Sequence, residues 1–180
     1  MTRLVSGASP PIALFSILMV SAALAGERGL PAQLGITNFS KVSDRLFRGA
    51  QPDAAGLKAL QELGIKTIIN LRMPNDIWEP EPVEARIRGI LYTNVPFSSL
   101  SRPTEEQMRI VLGLIEASPG PVFVHCQFGC DRTGTVIACY RIQHDNWLAP
   151  AALREAELHG MSRWESGMKS FILDFGRGKK

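Results

Sequence analysis

The chain alternates between short apolar runs and longer stretches in which apolar residues recur every three or four positions. Residues 65–71 and 121–125 are rich in β-branched and apolar side chains, which is typical of buried strands. Residues 45–48 and 91–95 are predicted as two further strands, whereas residues 26–40 show little periodicity and are expected to form an irregular lead-in. Because helical stretches separate the strands, the pattern predicts an α/β fold with a mainly parallel central sheet flanked by helices.

Residues with capping preferences mark the ends of the predicted helices. Asp53 is an expected N-cap for a helix that stops at Gly64, and Thr104 with Gln107 forms a capping box that opens another. Residues 133–146 are apolar on most sides, which suits a buried helix. The remaining predicted helices cover residues 79–88, 150–159 and 165–175.

The first 25 residues have the organisation of a secretory signal peptide. Arg3 supplies a positive charge, residues 12–22 an apolar core, and residues 23–25 (Ala-Leu-Ala) a cleavage pattern that makes Gly26 the expected first mature residue. An uncleaved membrane anchor is the alternative, but the apolar run falls short of the about 18 residues that a spanning helix needs. We therefore expect export to the bacterial periplasm or beyond, one domain over residues 26–180, and no stable membrane insertion.

Composition and charge narrow the function. Hydrophobic residues make up 45% of the 180 residues and charged residues 21%, a mix typical of a globular domain. Loss of Arg3 with the leader lowers the formal charge from +3 to +2, too little to predict a nucleic-acid partner. The three cysteines, Cys126, Cys130 and Cys139, are odd in number and clustered, which does not suit a disulfide framework. No second Cys or His pair at ligand spacing joins His125, so no metal site is predicted.

Residues 125–134, HCQFGCDRTG, join an apolar strand to an apolar helix. So short a loop can turn its backbone N–H groups toward one point, and the helix N-terminus adds unpaired donors and the positive end of its dipole. Cys126 would lie at the floor of this phosphate-sized nest, where the donors and the Arg132 guanidinium favour a nucleophilic thiolate. The predicted phosphate-binding residues are Gln127, Phe128, Gly129, Cys130, Asp131 and Arg132.

The same segment resembles the active-site signature of cysteine-based protein tyrosine and dual-specificity phosphatases, His-Cys-x5-Arg-Thr/Ser. Residues 45–52 (RLFRGAQP) and 64–72 (GIKTIINLR) are similar to the opening of small bacterial dual-specificity-like phosphatases, so the resemblance spans about residues 39–147. It implies the phosphatase fold and a reaction without metal or other cofactor. The resemblance also implies that Cys126 would attack phosphorus to form a phosphocysteine, which water would then hydrolyse.

The resemblance also implies roles for the neighbours of the cysteine. Arg132 and the loop amides would stabilise the equatorial oxygens of the transition state. Thr133 would donate a hydrogen bond to the Cys126 sulfur as it leaves, and His125 would orient the loop from behind. The alternative for Cys126 is a buried structural cysteine.

The general acid is not determined by the sequence. Many relatives carry an Asp on the loop that corresponds to residues 96–104, and this loop contains none. Some lipid and bacterial phosphatases instead use an Asp directly before the signature Arg, the place of Asp131. The alternative for Asp131 is a carboxylate that satisfies backbone donors at the helix start. Glu105, Glu106 and Asp76 are further candidates for the acid.

We therefore predict an exported phosphomonoesterase whose partner is a phosphorylated protein or a small phosphomonoester, with protein phosphotyrosine first and phosphoserine or phosphothreonine next. Phosphoinositide or inositol-polyphosphate hydrolysis is the alternative, disfavoured because the loop has no lysine. A second alternative is a non-catalytic phosphate-binding or thiol redox module, in which Cys126 and Cys130 would form a disulfide. The sequence does not predict the oligomeric state.

Three arginines outside the signature also bear on the pocket. Arg48 and Arg72 end predicted strands, and Arg102 lies on the loop at 96–104. Each could meet a substrate, but a solvated surface position is the commoner environment for such residues.

Overall fold

The structure is a computed structural model that describes residues 28–99 and 101–178. The predicted signal peptide and its cleavage point before Gly26 lie outside these residues. Within them, no helix combines the length and the apolar character that crossing a bilayer demands.

In the described part of the chain, five short strands form one sheet. The strands are β1 (Ser40–Ser43), β2 (Leu46–Gly49), β3 (Thr67–Asn70), β4 (Leu91–Asn94) and β5 (Val122–His125). Their order is β1-β2-β5-β3-β4, and all neighbours are parallel except β1, which runs antiparallel to β2. The predicted mainly parallel sheet is therefore confirmed, with β5 at its centre.

Within residues 28–99 and 101–178, six helices cover the two faces of the sheet. They are α1 (Ala54–Glu62), α2 (Glu81–Ile87), α3 (Glu105–Ala117), α4 (Asp131–Gln143), α5 (Ala149–Leu158) and α6 (Ser166–Arg177). Both predicted caps are present, since Asp53 Oδ1 accepts from Gly56 N at 2.8 Å and Thr104 and Gln107 form the reciprocal capping box. The helix expected to reach residue 146 ends earlier, because Asn146 has the left-handed φ of 57°.

Successive residues of the strands pack into two separate hydrophobic cores, one on each face of the sheet. Leu46 and Val124 face the layer of α3 and α4, whereas Phe47 and Phe123 face the layer of α1 and α2. Helix α4 is buried along most of its length because α5 and α6 pack against its outer side. A buried helix therefore starts directly where the central strand ends.

The lead-in is more ordered than its sequence suggests. Gln33 and Ile36 pair as an isolated bridge, Ile36 is fully buried, and β1 begins at Ser40. Strand β1 was not predicted: apart from Ser40 it lies beyond the irregular segment expected over residues 26–40, and Ser-Lys-Val-Ser carries no apolar pattern. An edge strand needs none, since only part of each residue is buried.

The carboxyl ends of three adjacent parallel strands meet at one edge of the sheet. Gly49 and Asn70 both lie in register with His125. The loops that follow β2, β3 and β5 therefore converge there, as ligand sites in parallel α/β sheets commonly do.

Candidate active site

The loop between β5 and α4 has its carbonyl groups turned outward. The Gln127 carbonyl oxygen accepts from the backbone N–H of Gln51 at 3.2 Å, and those of Phe128 and Gly129 accept from buried side chains. In a planar trans peptide, the N–H of the next residue points the opposite way. The N–H groups of residues 128–130 therefore point into the loop, where an anion would be bound.

Gly129 permits this turn. Its φ is +68°, and a Cβ atom there would lie 2.5 Å from the carbonyl carbon and oxygen of Gly49. Because those atoms belong to the backbone of β2, no side-chain movement could make room. The loop thus touches β2 at a point that only glycine allows.

Asn38 ties the loop to the lead-in and to the end of α5. It is fully buried, and its Nδ2 lies 3.0 Å from the Gly129 carbonyl oxygen and 2.9 Å from that of His159. Its Oδ1 accepts from Leu30 N at 3.0 Å. The left-handed φ of 55° at Asn38 is one that asparagine tolerates better than most residues. One side chain therefore joins three segments that are distant in sequence.

Arg48 supports the loop from beneath. It is 1% exposed, and its Nη2 donates to the Gly129 carbonyl oxygen at 2.7 Å. Its Nε and Nη1 have no hydrogen-bond partner among the residues that the structure describes. Burial lowers the pKa of Arg48 to about 10, although the nearby Glu155 and Cys126 counteract part of this effect. The expectation of a solvated surface arginine is wrong, because Arg48 is a buried cation under the loop.

Cys126 lies at the bottom of an open pocket of about 370 Å³ and is 2% exposed. Arg132, 5% exposed, lies on the same wall, and α4 begins without any side-chain cap on its free N–H groups. The sequence-predicted cysteine, arginine and helix start are thus brought together. The lining residues are Arg28, Asp76, Ser99, Cys126, Gln127, Phe128, Asp131, Arg132 and Glu165.

Thr133 follows the loop with a buried hydroxyl. Its Oγ1 has no hydrogen-bond partner in the described part of the chain. An unpaired buried hydroxyl costs about 1–3 kcal/mol, so its retention is easier to explain if it bonds during the reaction. This position suits the predicted bond to a departing Cys126 thiolate.

His125 is held behind the loop by a buried carboxylate. Its Nε2 lies 2.9 Å from Glu81 Oε1, and both side chains are fully buried. Its Nδ1 lies 3.3 Å from the Cys126 carbonyl oxygen. Glu81 also accepts from Asn70 Nδ2 at 2.8 Å, and burial together with Glu81 raises the pKa of Tyr92 to about 12. Helix α2 thereby fixes the ring beside the nucleophile.

Asp131 has both carboxylate oxygens engaged. Oδ1 accepts from the backbone N–H of Ser162 at 2.7 Å, and Oδ2 pairs with Arg28 Nη2 at 2.9 Å. The Arg28 guanidinium also stacks over the Phe128 ring at 5.2 Å. Asp131 therefore lines the pocket while it connects α4 to the turn before α6.

The other acid candidates differ in their distance from the pocket. Asp76 lines it, with Oδ1 and Oδ2 bound by Arg72, and this pairing lowers the pKa of the Asp76 carboxyl. Glu105 does not line the pocket, and Glu106 pairs with Arg109 on the outer face of α3. Neither glutamate is placed with Cys126.

Glu165, which the sequence did not single out, is the third carboxyl of the pocket. Burial raises its pKa, and the Asp131 charge raises it further, while Arg28 and Arg132 act in the opposite direction. It precedes α6 without capping the helix through its side chain. No motif pointed to Asn38 or Glu165, and Arg48 was singled out as a residue that could face the pocket rather than as a buried support, because all three act through residues far away in sequence.

The three cysteines are free thiols in different surroundings. Cys130 is fully buried, with its Sγ 3.3 Å from the Phe128 carbonyl oxygen and 3.6 Å from that of Arg28. Burial raises the pKa of Cys130 to about 11. The Cys130 thiol thus faces the lead-in, whereas Cys126 faces the pocket, and Cys139 lies inside α4.

The remaining arginines with predicted pocket roles have other partners. Arg72 binds Asp76 and, through Nη1, Gln51 Oε1 at 3.0 Å. Arg102 pairs with Asp174 at 2.8 Å and stacks on Phe171, so it faces α6 rather than the catalytic pocket. Arg102 is therefore not placed to meet a substrate at Cys126.

Nowhere in residues 28–99 or 101–178 do three or more His, Cys, Asp or Glu side chains come together as a metal-binding group.

A family model described as a DSP-PTPase phosphatase fused to NAD+ kinase matches residues 31–172. It covers the whole loop, its flanking strand and helix, and Glu165.

Known proteins share both the sequence pattern and the architecture. The chain is 32% identical over 126 residues to the dual specificity protein phosphatase TpbA of Pseudomonas aeruginosa (strain UCBPP-PA14), a match that covers 68% of this chain and 55% of TpbA. The chain thus spans little more than half the length of that relative. It is 27% identical to the inositol diphosphatase DSP5 of Arabidopsis thaliana, over 77% of this chain and 69% of the relative.

The solved structure of a cysteine-to-serine variant of P. aeruginosa TpbA in complex with phosphotyrosine has the same fold. The TM-score is 0.69 at 23% identity, and the superposition covers 86% of this chain and 96% of the TpbA chain. The five-stranded sheet with its flanking helices is thus the dual-specificity phosphatase architecture.

Proposed function

The chain belongs to the DSP-PTPase phosphatase family, and from this premise we propose that it hydrolyses protein phosphotyrosine through a phosphocysteine on Cys126. It is a phosphoric monoester hydrolase of the tyrosine and dual-specificity phosphatase type. One observation carries the proposal. The outward carbonyls of residues 127–129 leave three N–H groups directed at one point above a buried, pocket-lining cysteine.

Each residue around Cys126 has a part in the proposed reaction. The Cys126 thiolate attacks phosphorus in line with the leaving oxygen, and the loop N–H groups and the Arg132 fork bind the equatorial oxygens where charge accumulates. The unpaired Thr133 hydroxyl then donates to the sulfur when water releases phosphate. Preorganised donors of this kind contribute about 10²–10³-fold each to turnover.

A general acid must also protonate the leaving oxygen. Asp131, which the sequence suggests for this role, shares the pocket with Asp76 and Glu165. Each is a carboxyl that could face the leaving group, and their contacts distinguish them.

The charge of the pocket favours a substrate of modest charge. Among the described residues, two arginines and three carboxyls line it, and no lysine does. Highly anionic inositol phosphates would need an excess of cations there to offset their repulsion from the carboxylates. We therefore place protein phosphotyrosine ahead of the inositol-phosphate alternative. Phosphoserine and phosphothreonine rank after phosphotyrosine among the protein substrates.

Export is a separate part of the proposal and rests on the leader alone. Expression of the full chain in a bacterium, followed by fractionation and N-terminal sequencing, should recover a periplasmic or secreted protein that begins at Gly26. Full-length protein retained in the cytoplasm would contradict export without affecting the chemistry.

The catalytic proposal is tested by two substitutions under reducing conditions. Cys126→Ser should abolish turnover of a phosphotyrosine peptide and retain phosphate binding, since serine preserves the nest but not the thiolate. Arg132→Lys should lose most activity because an ammonium cannot form the planar fork.

Substrates and reductant separate the alternatives. Preference for an inositol polyphosphate over the phosphotyrosine peptide would favour the second substrate class. A protein that binds phosphate, turns over no ester, and forms a Cys126–Cys130 disulfide would support the redox module instead.

A further inference from the structure

Three carboxyls share the pocket with Cys126, and their contacts are unequal. Both oxygens of Asp76 are bound by Arg72, at 2.9 and 3.2 Å. Both oxygens of Asp131 are engaged by Ser162 N and Arg28. In both carboxyls each oxygen is thus occupied by a hydrogen bond or ion pair, which leaves none directed at a leaving group.

Glu165 has no such contact. No hydrogen bond or ion pair engages its side chain within the described ranges, and it does not cap α6. It is nevertheless held in place, because its backbone N–H donates to the Ser162 carbonyl oxygen at 3.2 Å. The backbone of Glu165 is therefore fixed, whereas its carboxylate oxygens have no partner among the described residues.

The turn that carries Glu165 is anchored on the phosphate loop. Asp131, the residue before Arg132, accepts a hydrogen bond from Ser162 N at 2.7 Å. Gly160, at φ +85°, packs so closely that a Cβ atom there would lie 2.5 Å from Gly29 N and 3.1 Å from Cys130 Sγ. This contact places the start of α6 beside the loop that binds the phosphoryl group.

From this geometry, and on the basis of the proposed phosphatase function, we propose that Glu165 is the general acid and that Asp131 positions it. The assignment gives the acid role to the turn between α5 and α6, and leaves the loop at residues 96–104 without it.

The charges that face Glu165 come from every side of the pocket. Asp131 at the start of α4 and burial raise the pKa of Glu165, whereas Arg28 from the lead-in and Arg132 from α4 lower it. Asp76 and Cys126 face the same cavity. A raised pKa keeps more of the carboxyl protonated as pH rises, which is the state a general acid needs.

The proton balance closes over both steps. The Cys126 sulfur electron pair forms the S–P bond while the P–O bond to the leaving group breaks, and the leaving oxygen takes the Glu165 proton. In the second step a water oxygen attacks phosphorus, the S–P bond breaks, and Cys126 departs as thiolate. The Glu165 carboxylate takes the proton of that water and is ready for the next cycle.

The test compares Glu165→Gln with Asp131→Asn on two substrates. Glu165→Gln should lower kcat/KM on a phosphotyrosine peptide by about 10²-fold or more, and by less than about tenfold on an activated nitrophenyl phosphate, whose leaving group needs little protonation. For Glu165→Gln, the plot of kcat/KM against pH should also lose its decline at high pH. Asp131→Asn keeps an acceptor for Ser162 N, so a smaller loss that is equal on both substrates is expected.

Glu105→Gln serves as the matched control, since Glu105 lies outside the pocket, and it should behave as wild type. Leaving-group dependence in Asp131→Asn but not in Glu165→Gln would overturn the assignment while the phosphatase function stands. Equal loss on both substrates in Glu165→Gln would also overturn it. A wild-type chain without phosphatase activity, or an active Cys126→Ser variant, would overturn the proposed function and this inference together.

Discussion

Replacing Arg48 by methionine should make the protein more stable and less active. Burial of the guanidinium, two of whose nitrogens have no partner among the described residues, lowers the pKa of Arg48 to about 10. That shift corresponds to about 3 kcal/mol by which folding disfavours the cation relative to its neutral form. Methionine keeps the apolar stem, and the Gly129 carbonyl keeps its Asn38 donor, so the offsetting loss is one hydrogen bond of about 1–2 kcal/mol. We expect Arg48→Met to gain about 1–2 kcal/mol.

The same substitution should weaken catalysis because Arg48 fixes the peptide whose N–H belongs to Cys130. A misdirected donor costs part of the about 10²–10³-fold that complete removal costs, so a loss of about tenfold in kcat/KM is expected. Urea unfolding measures the first effect and turnover of an aryl phosphate the second. Arg48→Lys, which retains a buried cation, should show no gain in stability. The reasoning is refuted if Arg48→Met is destabilised by more than about 1 kcal/mol or retains full activity.

Substitutions at three further positions, Gly129, Asn38 and His159, test the contacts that hold the loop and its surroundings. Gly129→Ala should lose phosphate binding in calorimetry and about 2 kcal/mol or more of stability, since its Cβ would meet the β2 backbone and φ is positive; unchanged affinity would contradict this. Asn38→Gly should lower kcat/KM and stability by removing the buried bonds, and Asn38→Ala should be worse by the left-handed strain of about 1–2 kcal/mol, read from urea midpoints; equal midpoints would show that the backbone carries no strain. Burial lowers the pKa of His159 to about 4, so the unfolded chain binds a proton at this residue more readily than the folded protein does. The contribution of His159 to the free energy of unfolding is therefore complete above pH 6.5 and is lost as pH falls toward 4, by up to about 1.4 kcal/mol per pH unit. In urea titrations His159→Gln should flatten this dependence; parallel curves for wild type and His159→Gln would rule it out.

The sequence predicted the fold well because the sheet is parallel and buried. Runs rich in β-branched and apolar residues, such as residues 65–71 and 121–125, can bury both faces only between helices. Asp53 and Thr104 set helix starts through local hydrogen bonds. The edge strand β1 was missed because Ser40–Ser43 is half-exposed and carries no periodic signal. Apolar runs and helix caps thus predicted most helices and strands, whereas the apolar pattern failed to predict the strand that is only partly buried.

The candidate site was predictable only where its residues are neighbours in the chain. Cys126, Arg132 and Thr133 belong to one strand–loop–helix unit, so spacing alone suggested their juxtaposition. Asn38 lies 91 residues from Gly129, and Arg48 lies 81 residues from it, so their bonds to the loop depend on the tertiary fold. An arginine at a strand end is more often solvated, and only the packing of β2 under the loop makes this one a buried support.

The most direct test of the account is to trap the covalent intermediate. Protein mixed rapidly with an aryl phosphate, quenched in acid and digested should yield a peptide that carries one phosphoryl group on Cys126, formed within a single turnover and absent from Cys126→Ser. A phosphoryl group on any other residue, or turnover with no covalent species at the earliest quench times, would contradict nucleophilic catalysis by Cys126.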